Sequence, residues 1–154
     1  MGQRYGLEIR AASATDAQGI AALMADLGLG SVEPGLMAGR LDALVRAGGS
    51  ALIAVEWGPP SGLIALSIVH DLTAARPAGF IATLAVAPDA RRRGIGRLLV
   101  KAVSRSARLA GCDRLLLPPG EAEAGLADFA SATGFVPEGG LFVRPLLRRG
   151  GREE

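Results

Sequence analysis

The chain has 154 residues, of which 49% are hydrophobic and 21% charged, with a formal net charge of +2. Such apolar content at so low a net charge excludes intrinsic disorder, and the length suits one domain with a core that needs no disulfide or metal staple. The longest charge-free stretch, residues 57–70, is broken by Pro59-Pro60 and falls short of the ~18 apolar residues of a membrane helix.

No apolar signal-peptide core follows Met1-Gly2-Gln3-Arg4-Tyr5-Gly6, so a cytoplasmic protein without a membrane partner is expected. The single cysteine, Cys112, excludes an internal disulfide framework. One His and one Cys make no zinc site, so no metal is expected. The basic balance comes from sixteen arginines against one lysine, Lys101. Either the surplus reflects an overall Ala-, Gly- and Leu-rich composition, or the cluster Arg91-Arg92-Arg93 with Arg97 grips phosphate through planar forks. Aromatics are only 4% of the chain, which argues against a nucleic-acid partner that would stack bases on them.

In chain order, residues 7–10 read as a short strand. Thr15 or Asp16 can cap a helix with Ile20, Leu23, Met24 and Leu27 at i, i+3, i+4 and i+7, ended by Gly28 and Gly30. Pro34 opens a second helix carrying Met37, Leu41, Leu44 and Val45 as far as Gly48-Gly49. Residues 51–56 and 63–69 form a hairpin around Gly58-Pro59-Pro60-Ser61-Gly62. Residues 80–86 read as a central strand covered on both faces, apolar throughout except for Thr83. From Gly94 a strongly amphipathic helix presents Ile95, Leu98, Leu99, Ala102, Val103, Leu109 and Ala110, and Gly111 ends it. Residues 115–117 form a strand, and residues 121–133 a weaker helix with Leu126, Phe129 and Ala130 inward and Gly134 as its C-cap. A last strand pair lies around Phe135-Val136 and residues 141–146. One α/β domain over residues 1–147 is expected, with 148–154 a disordered tail.

The chemistry concentrates where the 80–86 strand passes through the 87–93 loop into the helix opened by Gly94-Ile95-Gly96-Arg97. The first N–H groups of a helix have no intrahelical partner and the macrodipole makes that end positive. Glycines at 94 and 96 leave room for a diphosphate to approach these groups, and the arginines add positive charge. Known nucleotide loops fail at named positions. No lysine stands where a P-loop needs one, and Leu99 occupies the third glycine position of a dinucleotide fingerprint.

The segment Arg91-Arg92-Arg93-Gly94-Ile95-Gly96 resembles the coenzyme A loop Q/R-x-x-G-x-G/A of the GNAT superfamily of acyl-CoA-dependent N-acetyltransferases. Leu84-Ala85-Val86-Ala87-Pro88 before it, Gly111-Cys112 after the helix, and Phe129 with Gly134-Phe135 later in the chain resemble further stretches of that family. So does the start at Ile9-Arg10-Ala11-Ala12 with Asp16 and Ile20, so the likeness runs from residue 7 to about residue 146. It implies an α+β fold: a mixed, mostly antiparallel sheet of six to seven strands flanked by about four helices. It implies acetyl-CoA as cosubstrate, with backbone groups of Leu84, Ala85 and Val86 along the pantetheine arm. The amides from Arg92 through Arg93, Gly94, Ile95 and Gly96 to Arg97 would hold the pyrophosphate. Arginines of the cluster, Arg91 included, would surround the phosphates, and Phe129 would join the cofactor site. A primary amine of a small molecule or peptide would be the acceptor, and the protein a monomer or homodimer.

The usual catalytic side chains of the family are missing from their places. The 80–84 strand has no carboxylate, and Ala130 holds the position of the late tyrosine. Thr83 as a water holder, His70 beside Asp71, and Glu121 (with Glu123) are the substitutes, although a solvent-facing strand-end histidine and helix-capping glutamates are the plainer readings of the last two. Asp26 and Glu33, around the connection between the first two helices, would favour a cationic amine. A non-catalytic acyl-CoA-binding domain is the rival expectation, on the strength of those missing groups.

Overall fold

The computed structural model describes residues 6–120 and 125–146. Seven strands, β1 (Glu8–Ala11), β2 (Ser50–Val55), β3 (Gly62–Val69), β4 (Ala78–Val86), β5 (Arg114–Leu117), β6 (Val136–Glu138) and β7 (Leu141–Pro145), make one sheet in the order β1-β2-β3-β4-β5-β7-β6. Every neighbouring pair is antiparallel except β4 with β5. Among the described residues four helices flank it: α1 (Ala17–Asp26), α2 (Pro34–Arg46), α3 (Ile95–Leu109) and α4 (Leu126–Ala132). This is the mixed, mostly antiparallel sheet with four helices that the resemblance implied. Among the described residues no helix is long and apolar enough to cross a membrane.

Strand alternation sorts the core into two layers. Ala51, Ile53, Leu63 and Ala85 pack with Ile20 and Leu23 of α1 and Met37 of α2. Ala54, Ile64, Leu66 and Ile81 pack with Ile95, Leu99, Val100 and Val103 of α3 on the other face. The α3 stripe differs from expectation at its C-terminal end, where Leu109 is 83% exposed and Ala110 is exposed as well. At about 100° per residue Leu109 falls well off the line through Leu99, Val103 and Ala107, which are buried. Ser104, one turn after Val100 at the side of that line, is buried as well, its hydroxyl donating to the Val100 carbonyl at 2.8 Å.

The expected hairpin forms, with β2 and β3 in register from Ser50↔Leu66 to Ala54↔Gly62. The first helix starts differently. A 3₁₀ turn over Ala14–Asp16 precedes α1, and Asp16 sits at its N-cap without bonding an α1 amide. Its carboxylate instead takes both Arg10 Nη atoms at 2.9 Å and the Ser13 N–H at 2.8 Å. These donors hold the Asp16 carboxyl at a pKa of about 2, the Arg10 guanidinium first among them.

β4 departs from the uniformly covered strand expected of it. It meets β5 only at Gly79↔Leu115 and Phe80↔Leu116, so residues 81–86 run on with no β5 partner in register. Its pairing with β3 also slips, from Ala65↔Thr83 to Leu66↔Ile81, leaving Ala82 as a bulged residue exposed to solvent.

Candidate active site

A cavity of about 400 Å³ opens along the unpartnered edge of β4, between α3 and α4. Leu84 and Val86 form its strand wall, Leu126, Phe129, Ala132 and Thr133 its α4 wall, and Arg91, Gly94, Gly96 and Arg97 its end. The β3–β4 ladder explains which backbone groups face it. The Ala87 N–H donates to the Ser61 carbonyl at 2.8 Å, and alternate residues of an antiparallel strand turn their N–H and C=O to the same neighbour. Thr83 and Ala85 therefore bond β3, while Leu84 and Val86 point their backbone groups toward the opened edge.

A 3₁₀ turn over Pro88–Arg93 leads from β4 to Gly94, whose φ of +77° lies in the left-handed region that favours glycine. The first intrahelical bond of α3 runs from the Leu98 N–H to the Gly94 carbonyl at 3.0 Å, so the N–H groups of Ile95, Gly96 and Arg97 lack a partner within the helix. Gly94 is exposed, with open space where a Cβ would stand. Gly96 is buried for another reason: a Cβ there would meet Phe129 Cε1 at 2.9 Å. One glycine thus shapes the turn and the other admits an aromatic ring from α4.

The arginines separate by task. Arg97 and Arg91 line the cavity, and Arg91 Nε donates to the Val86 carbonyl at 3.1 Å. Arg93 turns away and grips Glu56, just past β2, with a two-pronged pair at 2.7 and 2.8 Å. That guanidinium holds the Glu56 carboxyl below its ordinary pKa. Arg92 belongs to the same 3₁₀ turn. Two cations, three unpaired helix amides and no acidic side chain among the described lining residues make the end of the cavity attractive to anions.

The catalytic candidates scatter. Thr83 is half-buried on β4 and shares the α1–α2 face of the sheet with Ala85, opposite Leu84 and Val86. His70 follows the far end of β3, eight residues from the Gly62 that pairs with Val86, or roughly 26 Å at ~3.3 Å per residue. The structure does not bring it to the cavity, and Asp71 beside it bonds Thr73. Glu121 and Glu123 lie outside the described residues, as do Tyr5 and the 148–154 tail. Ala130 is fully buried in the α3-side core. Cys112 is buried too, which pushes its thiol pKa up. Asp26 and Glu33 are exposed on either side of the α1–α2 connection. Sequence reading missed Leu126, Ala132 and Thr133 as cavity walls and Glu56 as the partner of Arg93. Among the described residues no three His, Cys, Asp or Glu side chains cluster as a metal site would require.

The model of the acetyltransferase (GNAT) family matches residues 24–135. The chain belongs to the GNAT acetyltransferase family. Members of this family use acetyl-CoA as cosubstrate. An acetyltransferase from Trypanosoma brucei has 25% identity and a TM-score of 0.73, covering 86% of this chain and 94% of its own. A GNAT-family acetyltransferase from Streptococcus pneumoniae shares the fold at 17% identity, TM-score 0.77, covering 91% of this chain and 99% of its own. So does the glucosamine-6-phosphate N-acetyltransferase of Arabidopsis thaliana, at 19% identity, TM-score 0.74, covering 86% and 92%. A search of curated proteins finds no sequence match.

Proposed function

We propose that this GNAT protein transfers an acetyl group from acetyl-CoA to a primary amine of a small molecule or peptide, by direct attack in a ternary complex. The observation that carries this reading is the opened edge of β4 ending at Gly94 and the unpaired amides of α3. A pyrophosphate suits those amides, with Arg91 and Arg97 balancing its charge. An extended pantetheine arm suits the β4 edge, adding to it as a strand would through the backbone of Leu84 and Val86. Phe129 supplies an apolar wall.

In the reaction the amine nitrogen attacks the thioester carbonyl carbon; the C–N bond forms, the C–S bond breaks, and the thiolate leaves. The amine must shed a proton and the thiolate gain one. Thr83, the only polar side chain of β4, faces the side of the sheet that carries α1 and α2, and there it holds a water that relays the amine proton to solvent. Glu121 is the alternative base by sequence alone. Alignment of two bound substrates supplies much of the acceleration for an already activated thioester, which suits a site poor in titrating groups. Asp26 and Glu33 at the α1–α2 connection favour a cationic acceptor.

Thiol release from acetyl-CoA across a panel of primary amines tests this, and amine-dependent release at one thiol per acetylated product is expected. A second reading, a non-catalytic acyl-CoA-binding domain, draws on the carboxylate-free β4 and the buried Ala130. Tight CoA binding with no release for any amine supports that reading and overturns the first.

A further inference from the structure

We infer that Glu56 is a positioning residue for the cosubstrate's phosphates, acting through Arg93 to fix the phosphate-binding turn on the β2–β3 hairpin. The inference rests on the proposed reading of that turn as the acetyl-CoA phosphate site. Gly94 alone does not set the angle at which the α3 amides face the cavity. Its left-handed φ is one of many it can adopt, and nothing packs within 4 Å of its missing Cβ. The constraint must come from either side of it.

Three ties converge there from one hairpin. The Ala87 N–H donates to the Ser61 carbonyl at 2.8 Å at the start of the turn. A Cβ on Gly62 would stand 3.0 Å from both Ile95 and Leu99, so β3 lies directly beneath the first turns of α3. Between them Arg93 reaches Glu56, 37 residues away, through two hydrogen bonds in the planar fork geometry that guanidinium and carboxylate share. The Glu56 side chain is 19% exposed and Arg93 49%, so the carboxylate is the better-anchored partner. Both Arg93 Nη atoms bond this carboxylate, and the arginine therefore holds the turn instead of the phosphate.

The two possible tasks of Arg93 predict opposite signs. Calorimetric titration of CoA into the unaltered protein, Glu56→Ala, Arg93→Ala and the double variant distinguishes them, with Glu56→Gln as the variant that keeps a hydrogen-bond acceptor. Each alanine variant is expected to weaken CoA binding about three- to tenfold by loosening a pre-aligned site. The double variant should bind no more weakly than the worse single one, because one link is lost in all three. Glu56→Gln should fall between the unaltered protein and Glu56→Ala. Glu56→Ala binding CoA as tightly as the unaltered protein, or more tightly, would mean that a released Arg93 serves the phosphates directly, and overturns the inference. Additive losses in the double variant overturn it as well. An unaltered protein that binds no CoA overturns the proposed function itself, and this inference with it.

Discussion

Replacing Gly96 with alanine should weaken CoA binding while costing the fold little. The new Cβ would stand 2.9 Å from Phe129 Cε1, 3.2 Å from Cζ and 3.8 Å from Val86 Cγ2. Carbon atoms in comfortable contact sit about 3.5–4.0 Å apart, so the ring must retreat by about 0.6–1 Å. Overpacking a closed core costs ~1–3 kcal/mol, but this ring borders a cavity and can swing into it. Alanine also returns up to ~1 kcal/mol over glycine in a helix. The net loss of stability should be about 1 kcal/mol or less, a fall of ~2–4 °C in Tm for a chain of this size. The displaced ring narrows the cavity along its α4 wall, and CoA affinity measured by calorimetry should drop about tenfold. Adding Phe129→Leu, which removes the clashing ring edge, should restore much of it. Unchanged CoA affinity in Gly96→Ala, or no recovery in the double variant, would refute the reasoning.

Gly94→Val places a β-branched residue at a φ of +77°, and should lower stability by ~1–2 kcal/mol in thermal melts and abolish detectable CoA binding by re-aiming the turn. Leu99→Ala empties a fully buried position beneath the sheet and should cost ~2–5 kcal/mol in urea denaturation. Asp16 has a folded pKa of about 2, below its unfolded value, so the stability it adds is full above about pH 4 and lost as pH falls toward 2. The partial exposure of Arg10 weakens the pair, so Asp16→Asn should cost about 1 kcal/mol at pH 7. Urea midpoints of variant and parent should then draw together as pH falls from about 4 and converge only below pH 2.

Most of the fold is legible because its signals are local. The α1 and α2 periodicities, the Gly-Pro-Pro hairpin turn and the Gly111 stop all read directly, and the run from Arg91 to Gly96 marks the site by its own residue types. What escaped depends on tertiary pairing. The bulge at Ala82 leaves no mark, since alanine suits either face of a strand. Leu109 is a different case: it looks like part of an apolar stripe, but 100° per residue already takes it off the buried line of Leu99, Val103 and Ala107. The Glu56–Arg93 pair joins positions 37 residues apart, and Gly96 is explained only once Phe129 arrives from another helix. The position of His70 was within reach: in a hairpin of antiparallel β3 and β4, a residue after β3 lies at the opposite end from the loop after β4. Asp16 was expected as a helix cap, but Arg10 across the strand–helix joint competes for its carboxylate.

The most direct measurement is a crystal structure with acetyl-CoA bound. It should place the pyrophosphate within ~3 Å of the Ile95, Gly96 and Arg97 amides, with the pantetheine arm running beside Leu84 and Val86. Acetyl-CoA bound elsewhere, with those three amides left to solvent, would contradict the account.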